Sequence, residues 1–468
     1  MDGQASVARK TNRLWTEAIS MRAFKIGFLS IAFAWHWGPS GLGEDSGWPQ
    51  FRGPGSRGVA DHPGLPERWS ETENVVWKQA IPGQGLSSPI SVGDRIFLTT
   101  VTRSQGEPVA AKAGLYFGGE QRAAPPVEHL WRVLCLDLLS GVVLWDQTLH
   151  QGVPPQPRHI KNSYASETPV TDGEFVYVAF GDVGLYCLTL DGKLVWAKDL
   201  PSPPTRLGWG PAASPVVEGD RLFYVSDNDE ASFLLALDKR TGNEIFKISR
   251  DEKTNWSTPS IWKNSLRTEL IVPGSNKVRS YDLDGKQLYE FGGCSSITIA
   301  TPYAVGDMLY VSSGYVLDLK RPIYAVRPGA SGDISLADDE TSNNWIVWCQ
   351  KQGAPYNPTT LTYKGILYAL YDRAIVATFD ARTGQKKLER ERIPKGRTFT
   401  ASPWAGNDRI YFLSEFGETF VYSAGEKCEL LHTNRLSEDE ALYMATPAII
   451  GDRLLIRSSS SLYCVGKR

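Results

Sequence analysis

Short runs of alternating apolar and polar residues, separated by tight turns, fill most of the chain. Residues 213–251 give the clearest copy of the pattern. Gly-Asp and Thr-Gly pairs stand between its apolar runs, and such pairs suit the positive φ angles of hairpin turns. The unit therefore predicts one four-stranded antiparallel sheet, with strands at 214–218, 221–226, 233–237 and 244–248.

The same unit recurs along the chain, and a Ser/Thr-Pro pair, once Asn-Pro, opens each copy. Most copies are spaced in the mid-forties of residues, which is typical of the blades of a β-propeller. We therefore expect an all-β fold, an eight-bladed β-propeller of four-stranded antiparallel blades. The opening prolines are Pro89, Pro169, Pro215, Pro259, Pro302, Pro358, Pro403 and Pro447.

The eighth unit has three strands and then the chain ends, so its fourth strand is missing. Residues 74–81 (NVVWKQAI), far upstream, match fourth strands such as 193–200 (KLVWAKDL) and 142–149 (VVLWDQTL). We expect this N-terminal strand to complete the last blade, which leaves the ring without an open sheet edge.

The segment before that strand divides in two. Arg22 and Lys25 precede an apolar run that is too short to span a bilayer, and Ala32-Phe33-Ala34 fits a small-x-small cleavage site. We interpret it as a secretory signal from about Met21, with an uncleaved anchor as the alternative. The expected organisation is an extension with the signal at 1–43, a strap at 44–73 and the propeller at 74–468, in a periplasmic or secreted protein.

The strap is rich in Gly and Pro. We expect Trp48, Phe51 and Trp69 to pack on the outside of the ring near its closure. The alternative is a ligand loop in which Arg52 and Arg57 bind anions.

The net charge of the chain limits the classes of partner that we expect. The 468 residues carry a formal net charge of -2, which gives no general attraction to nucleic acid or to an anionic membrane. A nucleic-acid partner is therefore not expected, and no membrane span is expected after removal of the signal. We expect a monomer.

Two long connections point to one rim of the ring. An insertion at 102–128 lies between the second and third strands of blade one, and the connection at 150–166 follows its fourth strand. Strand direction places second-to-third and fourth-to-first loops on the same rim. The acidic insertion at 330–344, between third and fourth strands, belongs to the opposite rim.

A family resemblance appears at the third strands. The segments 134–145 (LCLDLLSGVVLW), 235–246 (LALDKRTGNEIF) and 377–388 (ATFDARTGQKKL) resemble the A-x-D-x-x-T-G-x-x-x-W docking repeat of pyrroloquinoline-quinone (PQQ) type propellers. The resemblance covers residues 74–468, and the W-P-x-[FW]-R-G-P start looks like that of secreted bacterial members. Such proteins include quinoprotein alcohol dehydrogenases and a cofactor-free lipoprotein of outer-membrane assembly, between which fold analogy does not choose.

For an enzyme, the resemblance implies PQQ stacked on a tryptophan, Ca²⁺ with oxygen ligands, an Asp base and often a vicinal disulfide. No two cysteines are adjacent and no C-x-x-C-H motif occurs. Glu167 and Asn162 are the candidate oxygen ligands, and Trp209, Trp256 or Trp404 the stacking surface. The alternative is a rim carboxylate and tryptophans that fill contacts between blades. PQQ with calcium stays open as a cofactor.

The preferred interpretation is an exported, non-catalytic propeller scaffold that binds a protein or envelope polymer through one rim. A PQQ/Ca-dependent quinoprotein dehydrogenase and a carbohydrate or small-ligand-binding propeller are the alternatives. Catalytic residues are not identified, and the histidine spacing indicates no metal site. Aromatic, amide and charged residues ahead of the strand-opening prolines suit stacking on a ligand or a protein interface, or simply plug the channel mouth. They are Lys161, Asn162, Tyr164, Glu167, Trp209, Asn255, Trp256, Tyr356, Asn357, Arg397 and Tyr443.

Overall fold

The computed structural model describes residues 47–106, 111–116, 121–436 and 441–467. They form an eight-bladed β-propeller of four-stranded antiparallel blades, with 3₁₀ turns at Pro54–Ser56 and Arg206–Gly208. The predicted signal segment lies outside the described residues. Within them, no helix is long and apolar enough to cross a membrane.

The strands follow one order in every blade, from the innermost at the channel to the outermost. Blades one to four contain Ile90–Val92, Arg95–Arg103, His129–Asp137, Val143–Gly152; Val170–Thr171, Phe175–Phe180, Gly184–Thr189, Leu194–Asp199; Val216–Glu218, Arg221–Ser226, Phe233–Asp238, Glu244–Ser249; and Ser260–Lys263, Thr268–Pro273, Val278–Tyr281, Gln287–Phe291. Blades five to seven contain Tyr303–Val305, Met308–Ser312, Ile323–Val326, Ile346–Gln350; Leu361–Tyr363, Ile366–Tyr371, Ile375–Asp380, Lys386–Arg392; and Trp404–Gly406, Arg409–Leu413, Glu418–Ser423, Leu430–Arg435. Blade eight contains Ala448–Ile450, Arg453–Arg457, Ser461–Val465 and, from the N-terminal side, Val75–Ala80.

The N-terminal strand closes the ring. Val75–Ala80 runs antiparallel to Ser461–Val465, with Gln79 opposite Leu462. Trp77 donates its indole N–H to the Leu138 carbonyl of blade one at 2.9 Å, so the closing strand also contacts the next blade. The predicted closure is confirmed.

Outer-strand tryptophans dock four of the blades (eight, one, two and five) onto the next blade. Trp145 donates its indole N–H to the Leu190 carbonyl of blade two at 3.0 Å, and its ring lies on Gly192. A Cβ atom at Gly192 would lie 2.8 Å from Cδ2 of Trp145, and φ there is +82°, so glycine is required. This contact explains the Thr-Gly and Trp positions of the docking repeat. It recurs between Trp77 and Gly141, Trp196 and Gly242, and Trp348 and Gly384.

A second set of contacts joins the blades at the channel. The backbone N–H of Ser88 donates to Thr168 Oγ1 at 3.0 Å, and that of Thr168 donates to Ser214 Oγ at 2.9 Å. Further links run from Ser214 to Thr258, Thr301 to Thr359, Thr359 to Ser402, and Ser402 to Thr446. We call these eight residues, one at the head of each inner strand, the hydroxyl ring.

In blade six the hydroxyl position is Thr359, which follows Pro358 instead of preceding a proline. The inner-strand register shows the offset, because Leu361 pairs with Tyr368 as Trp404 pairs with Tyr411 in blade seven. The Asn-Pro start assigned from the sequence is therefore displaced from the other seven.

The strap does not lie wholly on the outside of the ring, contrary to the sequence-based expectation. Trp48 is buried, and its backbone N–H donates to Ser91 Oγ of blade one at 2.9 Å. Pro49 accepts a hydrogen bond from Thr171 of blade two, and Ala60 donates one to Ala405 of blade seven. These contacts lie at the ends of the inner strands away from the hydroxyl ring. Residues 48–60 therefore close the channel at that end.

Arg52 fixes the strap inside the ring. Its side chain is fully buried and donates to the carbonyls of Pro403 at 3.2 Å and Thr360 at 3.1 Å, in blades seven and six. Burial lowers the pKa of its guanidinium to about 10. Arg52 is thus a structural cation that binds carbonyls, and the anion-binding interpretation is wrong for it. The outer part of the strap fits the expectation better, because Trp69 stacks on Tyr411 of blade seven.

The two insertions take the positions expected for them. Gln121–Arg122 of the blade-one insertion pairs with Arg158–His159 of the connection to blade two, which places both on one rim. The blade-five insertion adds Gly332–Asp333 in parallel to the outer strand of blade four, where it covers an otherwise open edge.

Deletion of residues 44–81 tests the closure. Loss of the strap and the closing strand exposes the edge of Ser461–Val465. We expect the melting temperature to fall by roughly 10 °C or more relative to residues 44–468, given about 2–4 °C per kcal/mol in large domains. Deletion of residues 44–73, which keeps the closing strand, should lower the melting temperature less. Equal melting of the 44–81 deletion and the intact ring would contradict the closure.

Candidate functional site

A cavity of about 230 Å³ lies at the mouth of the channel, on the rim that carries the long connections. All eight residues of the hydroxyl ring line it, so every blade contributes to its wall. Phe51 lines it from the strap, which forms the closed end. Leu115 and Tyr116 reach it from the blade-one insertion.

One side of the cavity is aromatic. Trp209 and Trp256, from the loops that enter blades three and four, lie with ring centroids 5.6 Å apart and planes at 36°. The insertion residue Leu115 packs against them, together with Tyr356. Trp256 donates its indole N–H to the Gly210 carbonyl at 2.6 Å, which fixes its ring. The wall is thus preformed and apolar.

A buried ion pair holds the insertion over the mouth. Lys161 Nζ lies 2.7 Å from Glu415 Oε1 and also donates to Thr400 Oγ1 and to the Gly114 carbonyl. The Gly114 N–H donates to Glu415 Oε2 at 2.7 Å. Glu415 is on blade seven, whereas Lys161 precedes blade two. The pair neutralises the Lys161 charge and ties both connections to the far side of the mouth.

The amides at the mouth are also engaged within the protein. Asn162 donates to the carbonyls of Trp209 and Pro211, at 2.8 and 3.2 Å. Asn357 donates to Asp372 through its backbone N–H at 3.1 Å and through its side-chain amide. Burial raises the pKa of Asp372. These bonds fix the loops and leave the hydroxyl ring and the aromatic wall as the surface of the cavity.

The structure brings together six of the eleven residues selected from the sequence. The cavity is lined by Lys161, Asn162, Trp209, Trp256, Tyr356 and Asn357. Tyr164, Glu167, Asn255, Arg397 and Tyr443 do not line it.

Those five are elsewhere for identifiable reasons. Tyr164 is buried against His129 and Trp131, and Asn255 is buried against Asp227. Glu167 is also buried, and its carboxylate bonds to Gly181. Arg397 extends over Phe416 to Glu418, outside the mouth. Tyr443 packs in the core of blades seven and eight.

Sequence reasoning did not select the hydroxyl ring, Phe51, Leu115 or Glu415. The Ser and Thr residues ahead of the prolines served only to count blades, although their recurrence was the available signal. No local pattern marks Phe51, Leu115 or Glu415, because each reaches the site through contacts that are distant along the chain.

Glu167 is a buried carboxyl group behind the cavity wall. Its Oε1 accepts a hydrogen bond from the Gly181 N–H at 2.9 Å. Burial raises the pKa of Glu167 to about 8, and the nearby Asp182 adds to the shift. Burial likewise raises the pKa of Asp182 to about 7. Both carboxyl groups interact electrostatically with Tyr224 of blade three, so we expect their titration to act at the interface of blades two and three.

The residues present do not fit calcium-bound PQQ. Ca²⁺ takes six to eight oxygen ligands, usually including carboxylates. Among the described residues that line the cavity there is no Asp or Glu. Across the described ranges, no three His, Cys, Asp or Glu residues form a group that could hold a metal ion. The candidate ligands Glu167 and Asn162 bond to protein groups instead.

The Glu167 pKa predicts a pH-dependent stability. The pKa of this carboxyl group is about 8 in the folded state and 4.5 ordinarily. Its contribution to the free energy of unfolding is therefore greatest below pH 4.5 and is lost as pH rises to 8. The loss is at most about 1.4 kcal/mol per pH unit. Glu167→Gln keeps an oxygen for Gly181 and removes the titration.

We therefore expect Glu167→Gln to melt near the wild type at pH 5 and above it at pH 8. Differential scanning calorimetry across this range measures the effect, with the exposed Glu174→Gln as control. A shift of the same size at both pH values would contradict the assignment.

Comparisons with known proteins support the propeller fold. The family described as outer membrane protein assembly factor BamB matches residues 131–291. No curated protein sequence matches the chain. BamB from Moraxella catarrhalis is similar in structure at 11% identity and a TM-score of 0.54, covering 83% of this chain and 99% of that one. A europium-containing methanol dehydrogenase is similar at 11% identity and 0.58, covering 90% and 91%. With the eight blades, these likenesses show the β-propeller fold, and residues 131–291, which include the docking repeat, match the family of PQQ-type repeats described as BamB.

Proposed function

We propose that the protein is an exported, non-catalytic recognition scaffold that binds a protein or envelope polymer on the channel-mouth rim. The observation that supports this proposal is the distribution of polar and aromatic groups at the channel mouth. Its charged and amide groups bond to one another, as in the Lys161–Glu415 pair, while aromatic and hydroxyl groups face the cavity. Such a surface suits contact and selectivity more than proton transfer.

Exposed aliphatic side chains on the same rim support a large partner. Strand direction places the loops of Val153, Leu207, Leu317 and Leu319 around the mouth. These side chains are 56%, 50%, 63% and 86% exposed. Apolar groups around a polar cavity are typical of interaction surfaces. The matching family, described as an outer-membrane assembly factor, is consistent with a protein partner.

The quinoprotein dehydrogenase alternative has the structural likeness in its favour but lacks a ligand set in the cavity. If PQQ were bound, Trp209 and Trp256 would be the residues beside it, and the quinone would supply two-electron oxidation. Among the described lining residues there is no carboxylate, so the Asp base that the resemblance implies is not found in the cavity wall.

Rim substitutions test the binding surface. The double variant Leu207→Ser/Leu319→Ser removes exposed side chains, so folding should be unchanged. We expect capture of the partner that co-purifies from envelope extracts to fall about tenfold, or about 1.4 kcal/mol. Leu139→Ser, at a similarly exposed site in a third-to-fourth turn on the opposite rim, is the control.

Two results would overturn the proposal. Unchanged capture by the double variant, with loss on deletion of residues 330–344, would move the surface to the opposite rim. Quinone absorbance retained after desalting of protein incubated with PQQ and Ca²⁺ would favour the dehydrogenase.

Export is tested separately by N-terminal sequencing of the native protein. We expect translation from Met21 and removal of the signal before about Trp35 or Glu44, because the apolar run and small-x-small triplet precede these positions. An N-terminus at Met1 or Asp2 in the cytosolic fraction would contradict export.

A further inference from the structure

The hydroxyl ring has hydrogen-bonding capacity that the protein does not use. Its eight residues are 2–4% exposed, and all line the cavity. Six of their oxygens accept backbone N–H groups from the neighbouring blade. Within the described residues, none of the eight hydroxyls donates to a protein group. A buried hydroxyl that makes no donor bond is costly, so the ring favours an acceptor-rich occupant of the cavity.

The charge around the cavity favours a neutral occupant. Lys161 is the one Lys, Arg, Asp or Glu among the described lining residues, and Glu415 neutralises it at 2.7 Å. Arg52 lies beyond the ring, where carbonyl oxygens surround its guanidinium. An oxyanion, which accepts hydrogen bonds from hydroxyl groups, is the competing ligand, and the test below includes it.

Size and shape narrow the ligand further. The cavity of about 230 Å³ is several times larger than the roughly 30 Å³ of one water and smaller than the 300–1,000 Å³ of sites for drug-sized molecules. Trp209 and Trp256 form an aromatic wall, and the hydroxyl ring lines the cavity from all eight blades. The buried indole N–H of Trp209 has no hydrogen-bond partner in the described residues.

We propose that the cavity binds one neutral sugar ring, either a free hexose or the terminal unit of an envelope polysaccharide. The C–H face of the sugar packs on the tryptophans, and its hydroxyls, which donate and accept, pair with the hydroxyl ring. The inference deepens the proposed function and rests on the channel-mouth rim being the binding surface.

Ser88 and Thr301 allow a test that spares the blade contacts. In the described structure neither hydroxyl accepts an N–H link, whereas the other six do. The variant Ser88→Ala/Thr301→Val therefore removes two hydroxyls from the cavity and keeps the links. Thr148→Val, on the exposed outer strand of blade one, is the matched control.

Glucose, galactose, mannose and N-acetylglucosamine are the probes, titrated into the mature protein by calorimetry and by saturation-transfer NMR. We expect saturable one-to-one binding of at least one sugar. The ring variant should weaken it about tenfold, and the control should not change it. Tighter binding of an oligosaccharide with the same terminal sugar would identify a polymer as the source, and equal binding would identify the free sugar.

Absence of saturable binding by all four sugars would overturn the inference. So would sulfate, phosphate or acetate that binds instead with the same sensitivity to Ser88→Ala/Thr301→Val. If the sugars fail while Leu207→Ser/Leu319→Ser still weakens partner capture, only this inference falls. If sugars bind but Leu207→Ser/Leu319→Ser captures the partner as well as the wild type does, the proposal for the rim is wrong and this inference stands.

Discussion

The hydrogen bond from the backbone N–H at the head of one inner strand to the hydroxyl of the next blade sets the geometry of the channel. Thr168 both donates to Ser214 and accepts from Ser88, so each link places the following blade relative to the previous one. In most blades the next residue is proline, which has no N–H to leave unpaired beside the channel. The same arrangement that holds the blades together also defines the width and polarity of the cavity.

Much of the ring could be predicted because its information is local and repeated. Thr-Gly turns and outer-strand tryptophans recur at fixed offsets, and contacts such as Trp145 on Gly192 give the repeat its physical reason. The closing strand was identifiable because Trp77 stands in the same pattern as Trp145. Blade six was counted correctly, but its start was displaced, because Pro358 precedes the hydroxyl position Thr359 instead of following it.

The strap and half of the candidate site depended on contacts that no local pattern records. Arg52 resembles a surface cation in sequence, yet its guanidinium is bound by carbonyls of blades six and seven. Tyr164 and Lys161 are three residues apart, but one enters the core and the other reaches Glu415 across the mouth. Loop position therefore predicted which rim the two long connections lie on, whereas side-chain direction depended on which distant blade each loop met.

The closing strand also constrains how the protein is made. Val75–Ala80 leaves the ribosome early, but its partner, Ser461–Val465, is synthesised several hundred residues later. At 5–20 residues per second, the strand spends roughly tens of seconds without its native neighbour. Lys78, the one charged residue in VVWKQA, is the only gatekeeper against premature pairing within that strand during the interval. Blade eight is consequently the last blade whose four strands are all synthesised, although its outer strand is the first strand of the ring to be made.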